Sequence, residues 1–325
     1  ADAIVEPRIS RPGQVRTIDF ALGARDFDAD STFEQFAQSV VNGLKFGLII
    51  AMASVGLSLI FGTTGLINFA HGELITFGAA LAWWLNTQSL ELTLVLAAAI
   101  AVSGGAGLGA VAELGIMRPL RRRQLGAFQF VVVTIGLSLV GRQLFQIWIG
   151  EGNLSYRQYQ IQQPWTIGPI ELTPRDLTIM IVCLVALVGV ASVLQLTRIG
   201  KAMRAVSDNA DLAASSGIAV DRVILSVWSA GAALAALGGI MHGLSEVVEF
   251  DMGFRFLLLM FSAVVLGGLG TAYGAMAGGV VIGLVTEVST VWVQPELKFV
   301  WALLALILVL LVRPQGILGI RERIG

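Results

Sequence analysis

Cysteine and histidine are scarce in this chain, with one cysteine, Cys183, and two histidines, His71 and His242, among 325 residues. So few soft ligands exclude a disulfide framework and leave no thiolate or imidazole cluster for a metal. A purely carboxylate site is the remaining metal option, and no spacing in the chain points to one. Charge is scarce as well. Only 13% of residues are charged, with Lys+Arg 21 against Asp+Glu 22 and a formal net charge of −1, so no basic surface exists to neutralise nucleic-acid phosphates. A phosphate loop of the form G-x-x-x-x-G-K-[ST] is missing, since Gly200-Lys201 is followed by Ala202. The chain therefore does not bind and hydrolyse ATP by that route.

What is present is apolar. Hydrophobic residues make up 56% of the chain and the mean hydropathy is +0.81, far outside soluble composition. Several runs reach the roughly 20 residues that cross about 30 Å of hydrocarbon as a helix. The expected fold is all-α, a polytopic transmembrane helical bundle of about eight or nine helices. Candidate spans fall near 40–61, 66–85, 92–113, 127–149, 177–196, 223–243, 256–270, 272–293 and 297–312. The runs at 256–270 and 297–312 are short, about 22 Å and 24 Å at about 1.5 Å per residue. Cys183 sits inside an apolar run and reads as a buried structural thiol.

Positive charge sets the orientation, because short loops rich in Lys and Arg stay cytoplasmic. The loops after the third and fifth spans and the C-terminal tail hold eleven such residues, from Arg118, Arg121, Arg122 and Arg123 through Arg198 and Arg222 to Arg313, Arg321 and Arg323. The opposite loops hold Arg157, Arg175, Arg255 and Lys298 beside eight acids. This predicts an outer N-terminus and a cytoplasmic C-terminus, hence an odd number of crossings. Trp83, Trp84, Trp148 and Trp292 fall at predicted outer ends, where an amphipathic ring prefers the headgroup level. Three regions follow: a polar extracytoplasmic arm over 1–38, a transmembrane domain over 39–320, and a cytoplasmic tail over 321–325. The arm carries four arginines and seven acids. Its Ala1-Asp2-Ala3 start, without methionine, fits removal of a signal peptide and fits trimming of the chain equally.

Two glycine-rich stretches interrupt the apolar pattern. Residues 61–73 place Gly62, Gly65 and Gly72 beside Asn68, His71 and Glu73; residues 267–279 place Gly267, Gly268 and Gly270 before a run containing Glu287. Freed backbone groups at membrane depth survive only inside protein or along a wet cavity, so helices broken in the interior are expected, in two distantly related halves. Paired breaks of this kind point to a transport route. Close packing through Gly274 and Gly278 is the competing account of the second, and a loop at the cytoplasmic surface that of the first. Glu73 needs a partner or water, with His71, Lys45 and backbone N–H groups as candidates. Arg142 reaches the outer face by snorkelling, and His242 reads as an interfacial residue.

The segment 200–217 is too helix-prone for a passive connector. Met203, Val206, Ala210 and Ala213 form a narrow apolar stripe, with Arg204, Asp208 and Asp211 opposite. That stripe is suited to a groove on a cytoplasmic partner or to the membrane surface.

The run Gly56-Leu-Ser-Leu-Ile-Phe-Gly-Thr-Thr-Gly-Leu-Ile-Asn-Phe-Ala-His-Gly-Glu73 resembles the signature of branched-chain amino-acid ABC importer permeases, and specifically the first of their two permease subunits. The loop Gly200-Lys-Ala-Met-Arg-Ala-Val-Ser-Asp-Asn209 and the tail Arg313-Pro-Gln-Gly-Ile-Leu-Gly319 resemble the same family, so the likeness covers about 39–320. It implies a permease subunit of the bacterial plasma membrane without covalent chemistry. Its partners would be a second homologous permease, two ATPase subunits carrying ATP and Mg, and an extracytoplasmic substrate-binding protein. By the same resemblance Asn68, His71, Gly72 and Glu73, with Gly267, Gly268 and Gly270, line or support the pathway. Lys201, Ala202, Arg204, Asp208, Ala213, Ala214 and Gly217 then belong to the ATPase-coupling loop, although Asp211-Leu212 before the alanines follows the importer pattern only loosely. Branched-chain amino acids are the first expected cargo, with related small amino acids, amides and urea behind them. A stand-alone ion-coupled carrier or channel, titrating Glu73 or Glu287, is the alternative.

Overall fold

The computed structural model describes residues 32–159, 162–294, 297–313 and 315–319. Apart from one small hairpin and an isolated bridge, the regular structure of these residues is helical, and each of the nine apolar runs contains a helix. They are α1 (Thr32–Thr64), α2 (His71–Trp83), α3 (Leu94–Ala112), α5 (Ala127–Ile149), α6 (Pro174–Leu196), α9 (Val220–Ser245), α10 (Met252–Gly267), α11 (Ala272–Val288) and α12 (Lys298–Val312). A π-helical turn, Trp84–Ser89, prolongs α2, and another, Glu113–Met117, joins α3 to the short α4 (Arg118–Arg122). Between α6 and α9 lie α7 (Arg198–Asp208) and α8 (Ala210–Ser215). Among the described residues six helices are long and apolar enough to cross a membrane, while α10 and α12 are shorter apolar helices. The protein is a multi-pass membrane protein.

Residues 32–38, counted with the polar arm by composition, form the first turns of α1. The remainder of the arm, and the tail 321–325 with Arg321 and Arg323, lie outside the described residues.

Side-chain contacts sort the helix ends into two groups. At one end Gln38 of α1 exchanges hydrogen bonds with the backbone of Glu171, Leu154 bridges Val248, and Arg157 pairs with Glu91. The four tryptophans gather there too: Trp84 lies 6.2 Å from Trp148, and Trp292 lies 6.2 Å from Phe36. At the other end α4 meets the start of α9 through Arg118 and Asp221, and α7 meets the end of α1. Successive spans thus alternate in direction, and Thr32 and Gly319 belong to opposite ends of the bundle.

Glycine lets the central helices touch by backbone. Along α1, Gly43, Gly47 and Ala51 recur every fourth residue and face Gly279 and Gly283 of α11, so closely that a Cβ on Gly47 would stand 2.9 Å from the Val280 Cα. Gly56 meets Gly231 of α9 in the same way. Such small-residue seams are how helices associate where lipid removes the hydrophobic driving force. Of the six long helices α1 and α9 are the most buried, with α3, α5 and α6 exposing apolar flanks. Cys183 of α6 is fully buried, as expected.

The hairpin, β1 (Trp165–Ile167) and β2 (Ile170–Leu172), pairs antiparallel with Trp165 opposite Leu172, and was not foreseen. Gly168, at φ +61°, turns it beside Pro169. Thr173 then starts α6 with a capping box, its hydroxyl accepting from the Asp176 N–H at 3.1 Å.

Candidate functional site

The first glycine-rich stretch is where α1 ends and α2 begins. Thr63 and Thr64 turn their hydroxyls back onto the carbonyls of Leu59 and Ile60. Gly65, at φ +66°, then reverses the chain and donates its N–H to Phe61 at 2.7 Å, the left-handed stop that glycine adopts without strain. Asn68, buried, starts the next helix: its Oδ1 accepts the Ala70 N–H at 3.0 Å and its carbonyl accepts that of His71 at 3.3 Å. The connection lies at the α7 end of the bundle but inside protein, with Asn68, His71 and Glu73 all buried. Neither a mid-membrane break nor a solvated loop describes it alone.

His71 is fully buried and its Nε2 donates to the Ala53 carbonyl of α1 at 3.3 Å. Glu73 accepts instead from the Ser138 hydroxyl of α5, at 2.9 Å on Oε1. Two of the expected partners are corrected by this arrangement. His71 is turned toward α1 and makes no hydrogen bond to Glu73, and Lys45 is drawn to Asp176 of α6, 2.9 Å away. Arg142, one turn beyond Ser138, exerts an electrostatic pull on Glu73 while its guanidinium lies over the Phe254 ring at 5.1 Å. Arg142 is half-buried, and the ring it covers belongs to Phe254, which is itself exposed. Gly141 admits Glu73 to this face, since a Cβ there would stand 3.2 Å from the Glu73 Cγ. Gly72 makes the opposite contact, toward α10: its own Cβ would meet the Gly253 carbonyl oxygen at 2.5 Å. The Gly253 N–H is held by the Thr76 hydroxyl at 3.1 Å.

The second stretch ends α10 and starts α11. Gly268 and Gly270 take φ +113° and +78°, and Gly267 packs directly on Gly274. Gly278 likewise seats against Ala263, so close packing accounts for both Gly274 and Gly278. The carbonyls that α10 leaves open are capped by the tail: Ile317 N–H donates to Leu266 at 2.7 Å and Leu318 N–H to Gly267 at 2.9 Å. Both stretches meet each other. A Cβ on Gly62 would lie 2.7 Å from the Gly270 carbonyl oxygen, and the Phe69 and Phe261 rings are 5.0 Å apart.

The segment 200–217 is helical, but in two pieces. Asn209 leaves the helix at φ −162° and caps α8 by accepting the Leu212 N–H at 2.9 Å. Met203, Val206 and Ala213 are buried, and α7 packs against α6, α9 and α1. The apolar stripe thus binds the protein's own bundle, which corrects its assignment to a partner's groove; Ala210, placed in that stripe, is exposed. Lys201, Arg204, Asp208, Ala214 and Gly217 face outward with Asp211 and Leu212, and Ala202 is half-buried. Ser207 joins this loop to the first break by donating to the Gly62 carbonyl at 2.7 Å.

Sequence reading missed two further arrangements. Glu113, fully buried in its π-helical turn, is bound by both Nη groups of Arg121, one at 2.9 Å. Tyr156, from the loop after α5, is buried with its hydroxyl 3.3 Å from the Ala79 carbonyl, and burial pushes its phenol up so that it stays a donor. The His242 ring lies against that of Phe256, centroids 4.8 Å apart and tilted by 40°. Among the described residues no three His, Cys, Asp or Glu side chains are grouped to hold a metal ion.

A family model described as branched-chain amino acid transport system, permease component, matches residues 39–312. The chain is 30% identical to the high-affinity branched-chain amino acid transport system permease protein LivH of Escherichia coli K12, over 88% of this chain and 96% of that protein. It is 28% identical to the corresponding BraD protein of Pseudomonas aeruginosa, over 87% and 96%. It is 25% identical to the ribose import permease protein RbsC of E. coli K12, over 82% and 79%. No solved structure matches it. With a helical bundle, two touching glycine breaks and a match over most of its length, the chain belongs to the branched-chain amino acid transport system permease family.

Proposed function

We propose that the chain is a translocation subunit of an ATP-driven importer for branched-chain amino acids in a bacterial plasma membrane. It works beside a second homologous permease, receives cargo from an extracytoplasmic binding protein, and is driven by two ATPase subunits that hold ATP and Mg. The cargo follows the names of LivH and BraD, which specify branched-chain amino acid transport; small amides and urea are the related cargoes to test. The end bearing α4, α7 and α8 faces the cytoplasm, because the arginines and lysines collect there, so the N-terminus is outside and the C-terminus inside.

The observation that carries this reading is the placement of α7 and α8. Their inner side is packed on the bundle, their polar side is open, and Ser207 is bonded to the carbonyl of Gly62. Lys201, Arg204, Asp208, Ala214 and Gly217 offer the docking surface for an ATPase, with Leu212, 66% exposed, as its apolar knob. Ala202 and Ala213 hold the loop to the bundle. Movement of α7 pulls on Gly62, and Gly62 rests on Gly270. Asn68, His71, Gly72, Glu73, Gly267, Gly268 and Gly270 thereby form or support a seam that parts during alternating access.

The test is reconstitution in liposomes with the partner permease, the ATPases and the binding protein. Leucine uptake is expected only with ATP and binding protein, and residues 202–217 in scrambled order are expected to release the ATPases. Uptake by this chain alone on a proton or sodium gradient would overturn the reading.

A further inference from the structure

Two cavities of about 350 Å³ each lie along one flank of α9, the first walled by α3 and α6 and the second by the same helices with α1 and α7. They meet at Leu237, which lines both. On α6 the lining residues Thr178, Val182, Ala186, Val190 and Val193 recur every three or four positions, the spacing of a single helix face. At about 1.5 Å per residue that face is about 22 Å long, most of the roughly 30 Å of hydrocarbon in a bilayer. The two cavities thus form one slot, open from the tryptophan end of the bundle down to Met203 of α7. Gly189 also lines it, and a Cβ built there meets nothing within 4 Å.

Polarity is confined to one end of the slot. Tyr159, Gln162, Arg175 and Thr178 line the tryptophan end, and the remaining lining is aliphatic side chains, methionine, proline and glycine. The Thr178 hydroxyl is engaged with the Pro174 carbonyl, and Gln162 Oε1 with the Arg175 backbone N–H, each at 2.8 Å. Arg175 itself is half-buried and, unlike Lys45, Arg157 and Arg255, has no acidic side chain within ion-pair distance among the described residues. The occupant must therefore be aliphatic over most of its length and anionic at one end. A neighbouring transmembrane helix covers the apolar length, but matches Arg175 only if it carries a carboxylate at that depth. A phospholipid always does match it, because amphipathic tryptophans mark the headgroup level and a phosphate lies there.

We propose that the slot binds an anionic phospholipid, its phosphate on the Arg175 guanidinium and an acyl chain laid along α6 and α9 past Leu237. Arginine suits this role because its planar fork meets two phosphate oxygens at once. Phosphatidylglycerol is favoured over phosphatidylethanolamine, whose headgroup brings its own cation toward Arg175. The lipid fills the gap between α3 and α6, both of which pack on α9. It holds whatever the protein transports.

The protein, purified with the subunits that stay bound, is placed in nanodiscs of phosphatidylethanolamine containing a trace of phosphatidylglycerol with a diazirine in its acyl chain. After irradiation, adducts are expected within residues 178–193 and 230–244, and exchanging the background for unlabelled phosphatidylglycerol is expected to compete them away. Arg175→Gln is expected to lower their yield about tenfold, the loss of one hydrogen bond to a charged group. Arg175→Lys should restore part of it by keeping the charge. Arg157→Gln, which removes a cation already paired with Glu91, should change nothing. Gly189→Leu is expected to clear adducts from residues 186–193, where it fills the slot. Adducts indifferent to both Arg175→Gln and Gly189→Leu overturn the site, because lipid then only bathes this face. Competition by inorganic phosphate as effective as that by phosphatidylglycerol overturns it in favour of an ion site without a chain. So does an adduct-free slot in which benzophenone on Val95→Cys, made in a Cys183→Ala background, crosslinks to a neighbouring polypeptide, for the slot is then a subunit interface.

Discussion

Replacing Gly72 with alanine tests the seam where α2 and α10 touch by backbone. The added Cβ would stand 2.5 Å from the Gly253 carbonyl oxygen, 2.9 Å from its carbonyl carbon and 3.4 Å from the Leu257 Cβ. Two of those three are main-chain atoms that no rotamer change moves. Reaching the 3.5–4.0 Å at which heavy atoms pack best requires the helices to part by about 1 Å. Parting them also strains the buried hydrogen bond from Gly253 N–H to Thr76 Oγ1, now 3.1 Å. Overpacking of this kind costs about 1–3 kcal/mol and a weakened hydrogen bond up to about 1 kcal/mol more. The controls are Gly107 of α3 and Gly136 of α5, each with nothing within 4 Å of a built Cβ. There alanine gains up to about 1 kcal/mol from helix propensity. We expect Gly72→Ala to lower the midpoint of thermal loss of monodisperse complex on size-exclusion chromatography, and Gly107→Ala and Gly136→Ala to leave it unchanged or raise it. Equal midpoints for all three variants would refute the claim that backbone contact at Gly72 holds α2 to α10.

Three further outcomes follow from other contacts. Arg121→Met leaves the fully buried Glu113 carboxylate unpaired and is expected to destabilise by about 3–5 kcal/mol, whereas Glu113→Leu with Arg121→Met recovers most of that loss; additive losses in a thermal double-mutant cycle would show that the two groups are not coupled. Deleting residues 314–325 uncaps the Leu266 and Gly267 carbonyls, each worth about 1–3 kcal/mol when buried and unmade. Faster proteolysis at the α10–α11 junction is the expected readout, and unchanged cleavage would show that water replaces the tail. Ser207→Ala removes a hydrogen bond worth about 1 kcal/mol between α7 and Gly62, and, if α7 couples to an ATPase as proposed, is expected to raise the ATP hydrolysed per leucine imported. An unchanged ratio would mean that α7 transmits movement by its packed face alone.

Much of the architecture was legible in composition. Hydrophobic runs gave the nine helices because spanning lipid demands length and apolarity together, and the tryptophans marked one end because their rings are amphipathic. Facing was not legible. The polar residues of α5, Gln129, Thr134, Ser138, Arg142, Gln143 and Gln146, are spread over more than one face, so no periodic stripe distinguishes the side carrying Ser138 and Gly141 from the side toward lipid. Ser138 and Gly141, which meet Glu73, were therefore missed, and Arg142 was noticed but not connected to them, although Ser138 and Arg142 stand four apart on one side of the helix. Pairing partners were likewise hidden: Lys45 had an acid to find, and only the fold shows it to be Asp176. The α7 stripe was read correctly at Met203 and Val206, but a stripe does not say whose surface it covers. Ala210 fell out of register because Asn209 ends one helix and caps the next.

The placement of the two glycine breaks gives those residues a common physical logic. Each break leaves helix-end groups that must be satisfied away from bulk water, and the devices differ: in the first, threonine hydroxyls donate to the last carbonyls of α1 and Asn68 accepts an N–H ahead of α2; in the second, the backbone of the C-terminal tail donates to the last carbonyls of α10. Side chains at Gly62 or Gly270 would hold the two apart; their absence brings the breaks into contact. A seam made of backbone has few interlocking side chains to unpack, so it can open and reclose between two arrangements without rearranging a core. Seams interlocked by large side chains resist that, because packed interiors are dense and costly to repack. Ser207 attaches α7 to this seam at Gly62, and Gly72 and Glu73 follow along the same chain after the non-helical residues 65–70. Of the two breaks, the first is therefore the one tied directly to α7, through Gly62, and the second is reached from it through Gly270.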